Sequence, residues 1–111
     1  MKIRLRFGKL SITLPKSKRR PTHPGAILIE DTLPELSLSA DNLADAIGIS
    51  PLILNGILSE RMPVTPDVAH RLGRAFGMSP DIWLRMQQAV DLYDLQKSNS
   101  AIYKKIERIA A

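Results

Sequence analysis

Apolar and polar residues alternate with a period of two at the start of the chain and follow a helical period from residue 24 onward. Residues 2–14 read KIRLRFGKLSITL, which is the alternation of a half-buried strand. Gly8 and Lys9 can form a type II′ turn, which sets the pairing and predicts an N-terminal β-hairpin arm. The pairs are Phe7 with Leu10, Leu5 with Ile12 and Ile3 with Leu14, all on one face, with Lys2, Arg4, Arg6, Ser11 and Thr13 on the other.

Capping residues mark the helix starts beyond the arm. The N-cap candidates are Ser39, Ser50, Thr65 and Ser79, and the last three are each followed by Pro. Gly48 and Gly77 are left-handed stops. The predicted helices run from Pro24 to about Asp31, then over 40–47, 51–58, 66–76 and 80 to about 97. Asn99 and Ser100 interrupt the pattern, and a short extra C-terminal helix is expected from Ala101, with Ile102, Ile106 and Ile109 on one side.

These elements predict one all-α domain, residues 21–97, between a basic arm (1–20) and a helical tail (98–111). Its centre, residues 40–59, reads ADNLADAIGISPLILNGILS. Ala44 is small where two helices would cross, and Gly48 permits the positive φ of a tight turn. Leu43, Ile47, Ile49, Leu54 and Ile57 would close a small core. This spacing favours a helix-turn-helix over two ordinary consecutive helices, and the second helix of that motif enters the DNA major groove.

The net charge of +5 is unevenly distributed along the 111 residues. Residues 1–20 hold eight basic side chains and no acidic one, whereas the remainder holds eight basic and eleven acidic ones, a net charge of −3. A basic arm on a mildly acidic body indicates an anionic partner, nucleic acid before membrane, although a solubilising tail is the alternative. The absence of cysteine excludes disulfides, thiolate metal sites and a cysteine nucleophile. No cofactor or metal is expected, and with neither a signal-peptide core nor a membrane-spanning run the protein is expected in the cytoplasm.

Three separate segments carry a resemblance to a known family. They are RRPTHPGAIL (19–28), VTPDVAHRLGRAFG (64–77) and SPDIWLRMQQAVDLY (79–93), in this order. Together they resemble HigA-type antitoxins of the Cro/C1 (XRE) helix-turn-helix family over about residues 19–96. The resemblance implies a five-helix lambda-repressor-like bundle, a homodimer, operator binding and neutralisation of a small basic ribonuclease toxin encoded alongside. The sequence offers no catalytic constellation, so no enzymatic activity is expected.

The sequence departs from the family where DNA would be read. The family usually has a polar or basic residue at position 51, Gln at 52 and often Gln at 40, where this chain has Pro51, Leu52 and Ala40. The predicted outward face of the second helix is Pro51, Leu52, Asn55, Gly56 and Ser59. Asn55 suits a bidentate contact to adenine, and Leu52 a thymine methyl group. The candidate DNA contacts are Ser39, Ser50, Leu52, Asn55, Ser59, Arg61, Lys18, Arg19 and Arg20, the basic ones serving phosphates.

Several other residues have a structural and a functional interpretation. A short bundle is not expected to bury the whole apolar side of the last helix, so Ile82, Trp83, Met86, Val90 and Tyr93 are the predicted dimer interface. His70 follows Asp67 by three residues, which favours a surface helix pair over a catalytic one. His23 precedes a helix start and is structural or a phosphate neighbour. Glu30 and Asp31 form a solvated face or meet a basic toxin.

The sequence thus favours an antitoxin that represses its own operon, with two alternatives left open. One is a toxin-neutralising protein-binding module with little specific DNA binding, because the second helix has few base-reading side chains. The other is a stand-alone Cro/C1-type repressor without a toxin. The arm has three possible states: docked within the dimer, ordered by toxin or DNA, or a floppy tail.

Overall fold

The computed structural model describes residues 2–7, 10–15 and 19–110. Within these ranges the domain consists of five helices. Helix α1 covers 24–35 in three continuous segments, Pro24–Ile27, Leu28–Thr32 and Leu33–Glu35. It is followed by α2 (Ala40–Ile47), α3 (Pro51–Leu58), α4 (Pro66–Phe76) and α5 (Pro80–Lys104). This is the all-helical bundle expected from the sequence.

Two short strands precede the bundle. Strand β1 (Lys2–Phe7) pairs antiparallel with β2 (Leu10–Pro15), and the register places Phe7 opposite Leu10 and Leu5 opposite Ile12. The predicted turn at Gly8 and Lys9 lies outside the described residues. Because an isolated two-stranded hairpin is marginal in water, the hairpin arm stays a prediction that depends on what covers it.

The helix boundaries of the bundle follow the predicted capping chemistry. Ser39 Oγ accepts a hydrogen bond from Asn42 N at 3.1 Å, and Ser50 Oγ accepts one from Ile53 N at 3.1 Å. Thr65 and Ser79 cap α4 and α5 in the same way, each ahead of a proline. Gly48 and Gly77 end α2 and α4 with φ of 72° and 65°. The Ser/Thr-Pro starts and the glycine stops are therefore confirmed.

Helix α1 ends at Glu35, beyond the predicted end near Asp31. Its middle segment, Leu28–Thr32, is a π-helix, and Leu33 N donates to Leu28 O across the wider turn. Pro34 has no N–H to donate and would collide with a carbonyl in a regular helix interior. The π turn lies directly before Pro34, where it lets the helix continue and bury Leu33.

Helix α5 runs without a break through Asn99 and Ser100 to Lys104. The predicted interruption and the separate helix from Ala101 are therefore wrong, and Ile106 and Ile109 lie beyond the helix end. Asn and Ser each cost well under about 1 kcal/mol in a helix interior, whereas starting a new helix carries a nucleation cost. Extending the existing helix therefore costs less free energy than starting a new one. Among the described helices, none is long and apolar enough to cross a membrane.

The core is built around the helix-turn-helix pair and the first half of α5. Leu43, Ala44, Ile47, Leu54 and Ile57 are buried and Ile49 is partly buried, as predicted. In α5, Trp83, Met86 and Val90 are also buried within the same chain, and Trp83 lies 6.1 Å from Phe76 between ring centroids. These three lie in the core of one chain, where the last helix packs mainly against α4, and not at the predicted dimer interface. Ile82 and Tyr93 are half-buried.

Candidate nucleic-acid interface

The turn between α2 and α3 is held from both sides. Gly48 N donates to Ala44 O and Asp45 O in a left-handed cap, and Ile49 N donates to Ala44 O. From α4, Arg71 Nη1 donates to Ile47 O at 2.7 Å and to Gly48 O at 3.2 Å. Asp67 Oδ2 lies 2.9 Å from Arg71 Nε and orients the guanidinium. The clamp fixes the angle between the two helices, and the sequence analysis missed it.

Helix α3 presents an exposed face that is short of polar groups. Leu52 is 79% exposed, and Asn55 is exposed one turn further on. The hydroxyls of Ser39 and Ser50 cap α2 and α3, so each already accepts a backbone N–H. Asn55 therefore provides the side-chain amide on this face, and an amide can make a bidentate contact to a base edge.

Gly56 does not belong to the exposed face, contrary to the sequence prediction. It is buried beneath Met62, and a Cβ at this position would lie 2.5 Å from Met62 Sδ and 2.7 Å from its Cγ. Gly56 O accepts from Arg61 N and Met62 N, so the chain folds back over the glycine after α3. The glycine allows the close approach of the loop that ends the helix.

Ser59 and Arg61 form a small polar group at the end of α3. Ser59 Oγ donates to Gly56 O at 3.2 Å, and Arg61 Nε donates to Ser59 Oγ at 3.0 Å. Arg61 is exposed. Its guanidinium is thus held near the carboxyl end of α3, where a phosphate could be bound. Arg19 is exposed as well, and Lys18 lies outside the described residues.

Arg20 makes internal ion pairs, so its guanidinium is already occupied, and its predicted contact to a phosphate stays a prediction. Its Nε and Nη2 donate to the two carboxylate oxygens of Asp94 at 2.8 and 2.9 Å, and its Nη1 donates to Glu60 Oε1 at 3.0 Å. The bonds to Asp94 and Glu60 raise the pKa of Arg20, and Arg20 lowers that of Asp94. The three residues, here called the Arg20 clasp, tie the end of the linker to Glu60, two residues after α3, and to Asp94 in α5.

His23 is a buried helix cap. Its Nδ1 accepts a hydrogen bond from Gly25 N at 2.9 Å, and the side chain is 4% exposed. Burial lowers the pKa of His23 below its ordinary value of 6.5, and this outweighs the nearby Glu60 carboxylate, which raises it. The structural interpretation of His23 is therefore the better supported one.

Acidification is expected to destabilise the protein through His23. Because burial favours the neutral imidazole, the unfolded chain binds a proton more readily than the folded one. The contribution of His23 to the free energy of unfolding is therefore fully present above about pH 6.5. It is lost as the pH falls from there through the lower folded pKa, because a protonated Nδ1 cannot accept from Gly25. Urea unfolding at pH 7.5 and 5.0 measures this, and His23→Asn, which retains a cap acceptor but does not titrate, should show a smaller pH dependence. An equal dependence in both proteins would contradict the assignment.

Two further contacts were not visible in the sequence. Gln87 is buried in α5, and its Oε1 accepts from Val64 N at 2.8 Å while its Nε2 donates to Asp91 Oδ1 at 3.0 Å. It anchors the loop between α3 and α4. The sequence around Gln87 gives no signal of this role, since the partner is a backbone N–H 23 residues away.

His70 is exposed on α4. Asp67, its predicted helix partner, forms its ion pair with Arg71.

A tight, clamped turn followed by an exposed short helix defines a DNA-binding regulator of the helix-turn-helix class. The chain is 40% identical to virulence-associated protein I of Dichelobacter nodosus over 84% of its length and 86% of that protein. It is 38% identical to antitoxin HigA-1 of Vibrio cholerae, covering 71% of this chain and 74% of the relative. The structure of antitoxin GraA in complex with its operator matches with a TM-score of 0.77 and 37% identity, over 87% of this chain and 99% of that one.

The chain belongs to the HigA family of helix-turn-helix antitoxins. No family model matches it. A further relative, the helix-turn-helix-type transcriptional regulator YbaQ of Escherichia coli, is 29% identical over 86% of this chain and 84% of that protein.

Proposed function

We propose that this protein is the antitoxin of a HigBA-type toxin–antitoxin system. It neutralises a small basic ribonuclease toxin by direct binding and represses its own operon through the helix-turn-helix. The observation that carries the proposal is the clamped α2–α3 pair, which presents Asn55 and Leu52 to solvent. The solved relative GraA is in complex with its operator, which supports a DNA partner for this fold.

The proposal has two halves that are tested separately. Co-expression with the small open reading frame beside the gene measures neutralisation as growth rescue and co-purification. A gel shift with the upstream DNA measures repression. Growth rescue without a gel shift would favour the toxin-neutralising module with little specific DNA binding. A gel shift without growth rescue would favour the stand-alone repressor. Failure of both would reject the function.

Recognition of the operator is expected to rely on few base contacts and on many contacts to phosphates. Asn55 contacts an adenine and Leu52 contacts a thymine methyl group, while Arg61 and Arg19 bind phosphates. Two half-sites about one helical turn apart suit a dimer. Binding should therefore fall steeply with salt, since most of the affinity would come from counterion release.

Asn55→Ala is expected to relax operator selectivity. The variant loses one bidentate contact in each half-site, which costs about 1–3 kcal/mol of discrimination per half-site, or roughly 5- to 150-fold for each in the ratio of operator to random DNA. Binding to random DNA should change little, because phosphate contacts remain. Asn42→Ala, on the exposed side of α2, is the matched control. If both variants keep the selectivity of the original protein, α3 is not the reader.

One observation favours the alternative of a module with little specific DNA binding. Leu52 is joined by Ile53 and Met62, both 38% exposed, so the outer side of α3 carries an apolar strip. Such a strip suits a protein surface better than phosphates. In that case Leu52→Asp would abolish toxin binding and leave the weak DNA binding unchanged; under the proposed repressor function it would weaken operator binding.

The toxin and the arm have proposed positions on α1. Glu30 is exposed and Asp31 is half-buried, so the middle of α1 offers acidic groups to a basic toxin. The backbone of β2 lies next to Leu28–Thr32, which supports docking of the hairpin arm on this helix. Deleting residues 1–14 tests the arm: unchanged stability, toxin binding and DNA affinity would make it a tail.

A further inference from the structure

Asn55 is followed directly by Gly56 within helix α3. The side-chain amide of an asparagine can be attacked by the backbone nitrogen of the next residue, and a glycine there hinders the approach least because it has no Cβ. The other asparagines of the chain, Asn42 and Asn99, precede a leucine and a serine. Asn55 is therefore the asparagine of this sequence that is most open to attack by its own backbone.

The glycine at position 56 is required by the loop that follows α3. A Cβ there would lie 2.5 Å from Met62 Sδ. Gly56 O accepts from Arg61 N at 2.9 Å and from Met62 N at 3.0 Å. Gly56 is buried whereas Asn55 is exposed. The amide that suits a base edge and the glycine that admits the loop are thus adjacent, each for its own reason.

The helical backbone restrains the reaction between these two residues. Ring closure needs Cγ of Asn55 to approach the nitrogen of Gly56, but a helical residue directs its side chain back toward the start of the helix, away from that nitrogen. In an α-helix the N–H of Gly56 is also bonded to the carbonyl oxygen of residue 52, so it does not readily lose its proton. The reaction therefore proceeds through molecules in which α3 has opened.

Several features make α3 easier to open than the longer helices of the bundle. It has only eight residues, and glycine is among the poorest helix formers. Its end is held through one carbonyl, because Ser59 Oγ, Arg61 N and Met62 N all donate to Gly56 O. Displacement of the loop therefore removes three hydrogen bonds together. We expect α3 to open before the whole domain unfolds.

We propose that Asn55 is a site of spontaneous deamidation, at a rate set by the opening of α3. The nitrogen of Gly56 forms a bond to Cγ of Asn55 and gives up its proton. The bond from Cγ to Nδ2 breaks, and the amide nitrogen leaves as ammonia with that proton. Water, the only co-reactant, then opens the cyclic imide at either carbonyl and produces aspartate or isoaspartate.

Deamidation would alter the centre of the surface assigned to DNA, and this consequence rests on the proposed function. An amide donates and accepts hydrogen bonds, whereas a carboxylate only accepts them, so the bidentate contact of Asn55 to adenine would be lost. The new negative charge would also oppose the phosphates. Isoaspartate would in addition lengthen the backbone of α3 by one methylene group. The age of each molecule would thereby limit its time as a repressor.

Prolonged incubation of the full chain near neutral pH, followed by peptide mapping, tests the site. Mass spectrometry measures the loss of the amide at Asn55 and at Asn42, the internal control. Asn55 should react faster than Asn42 but more slowly than in a synthetic peptide of residues 50–61, which is too short to hold a stable helix. Equal rates at Asn55 and Asn42 would overturn the site. A rate equal to that of the peptide would overturn its control by α3.

Gly25→Ala tests the dependence on opening, because a Cβ at Gly25 would collide with Ile57 O in α3. Deamidation of Asn55 should accelerate about 30- to 140-fold, the factor that corresponds to about 2–3 kcal/mol of lost stability. Gly77→Ala, with no atom within 4 Å of its added Cβ, should accelerate it by no more than about 5-fold. Urea below the unfolding midpoint should also accelerate it in the original protein. A rate unchanged by urea and by Gly25→Ala would contradict the proposal.

The consequence for DNA binding is measured apart from the modification. Ion-exchange chromatography isolates the deamidated protein by its added negative charge, and Asn55→Asp supplies one product directly. Both should select the operator less well than the original protein, and both should bind random DNA more weakly than Asn55→Ala does. If Asn55→Asp binds the operator as the original protein does, the DNA half of the proposed function fails. The rates measured by mass spectrometry decide the modification in either case.

Discussion

Gly25→Ala is expected to lower the free energy of unfolding by about 2–3 kcal/mol, the cost of forcing a methyl group into an already filled contact. A Cβ at Gly25 would collide with the backbone carbonyl oxygen of Ile57, and His23 Nδ1 would lie 3.2 Å away. A backbone carbonyl cannot rotate aside as a flexible side chain can. Helix α1 would have to move away from α3.

Gly77→Ala is the matched control for this substitution. Gly77 has a φ of 65° but no atom within 4 Å of the added Cβ, so only backbone strain of about 1 kcal/mol is expected. Urea unfolding of both variants compares the two effects. Because Gly25 touches the carboxyl-terminal end of α3, its variant should also weaken operator binding, unlike the Gly77 variant. Equal losses of stability would mean that the α1–α3 contact is not tight.

Trp83→Ala is expected to cost about 3–5 kcal/mol, a large part of the stability of a domain this small. The indole is fully buried and packs against Phe76. The loss should be the same at low and at high protein concentration, because the side chain belongs to the core of one chain. If the variant does not fold, Trp83→Phe should give a smaller loss of the same kind.

This experiment also distinguishes the core role of Trp83 from the interface role expected from the sequence. Substitution of an interface residue would change how unfolding depends on protein concentration and would leave the stability of the monomer unchanged. Substitution of a core residue lowers the stability of the monomer itself. A loss that changed with protein concentration would restore the interface interpretation.

Local chemistry was predictable from the sequence because it acts between neighbours. Ser50 followed by Pro51 dictates a helix cap, and Gly48, two residues earlier, dictates a helix end, whatever lies around them. The aliphatic spacing of α2 and α3 likewise fixes which residues face inward. The helix-turn-helix and its core were therefore confirmed in detail.

The contacts that organise the candidate site were harder to predict, since they join residues far apart in the chain. Arg71 reaches carbonyls 23 and 24 residues away, and Arg20 reaches a carboxylate 74 residues away. A surface arginine gives no local sign of such a partner. The periodicity of α5 misled for a different reason: its apolar side changes after Val90, so a single face was assumed where there are two.

The Arg20 clasp gives the basic arm a fixed starting point. Five peptide units separate Arg20 from Pro15, so the last residue of β2 lies within about 18 Å of Arg20 for any path of the linker. Through Glu60, that anchor is next to the end of α3. A linker of this length keeps the basic residues of the arm close to α3 for any path of the chain. Their effective concentration there is of the order of millimolar. An anionic surface that meets α3 would encounter them without a second diffusional step.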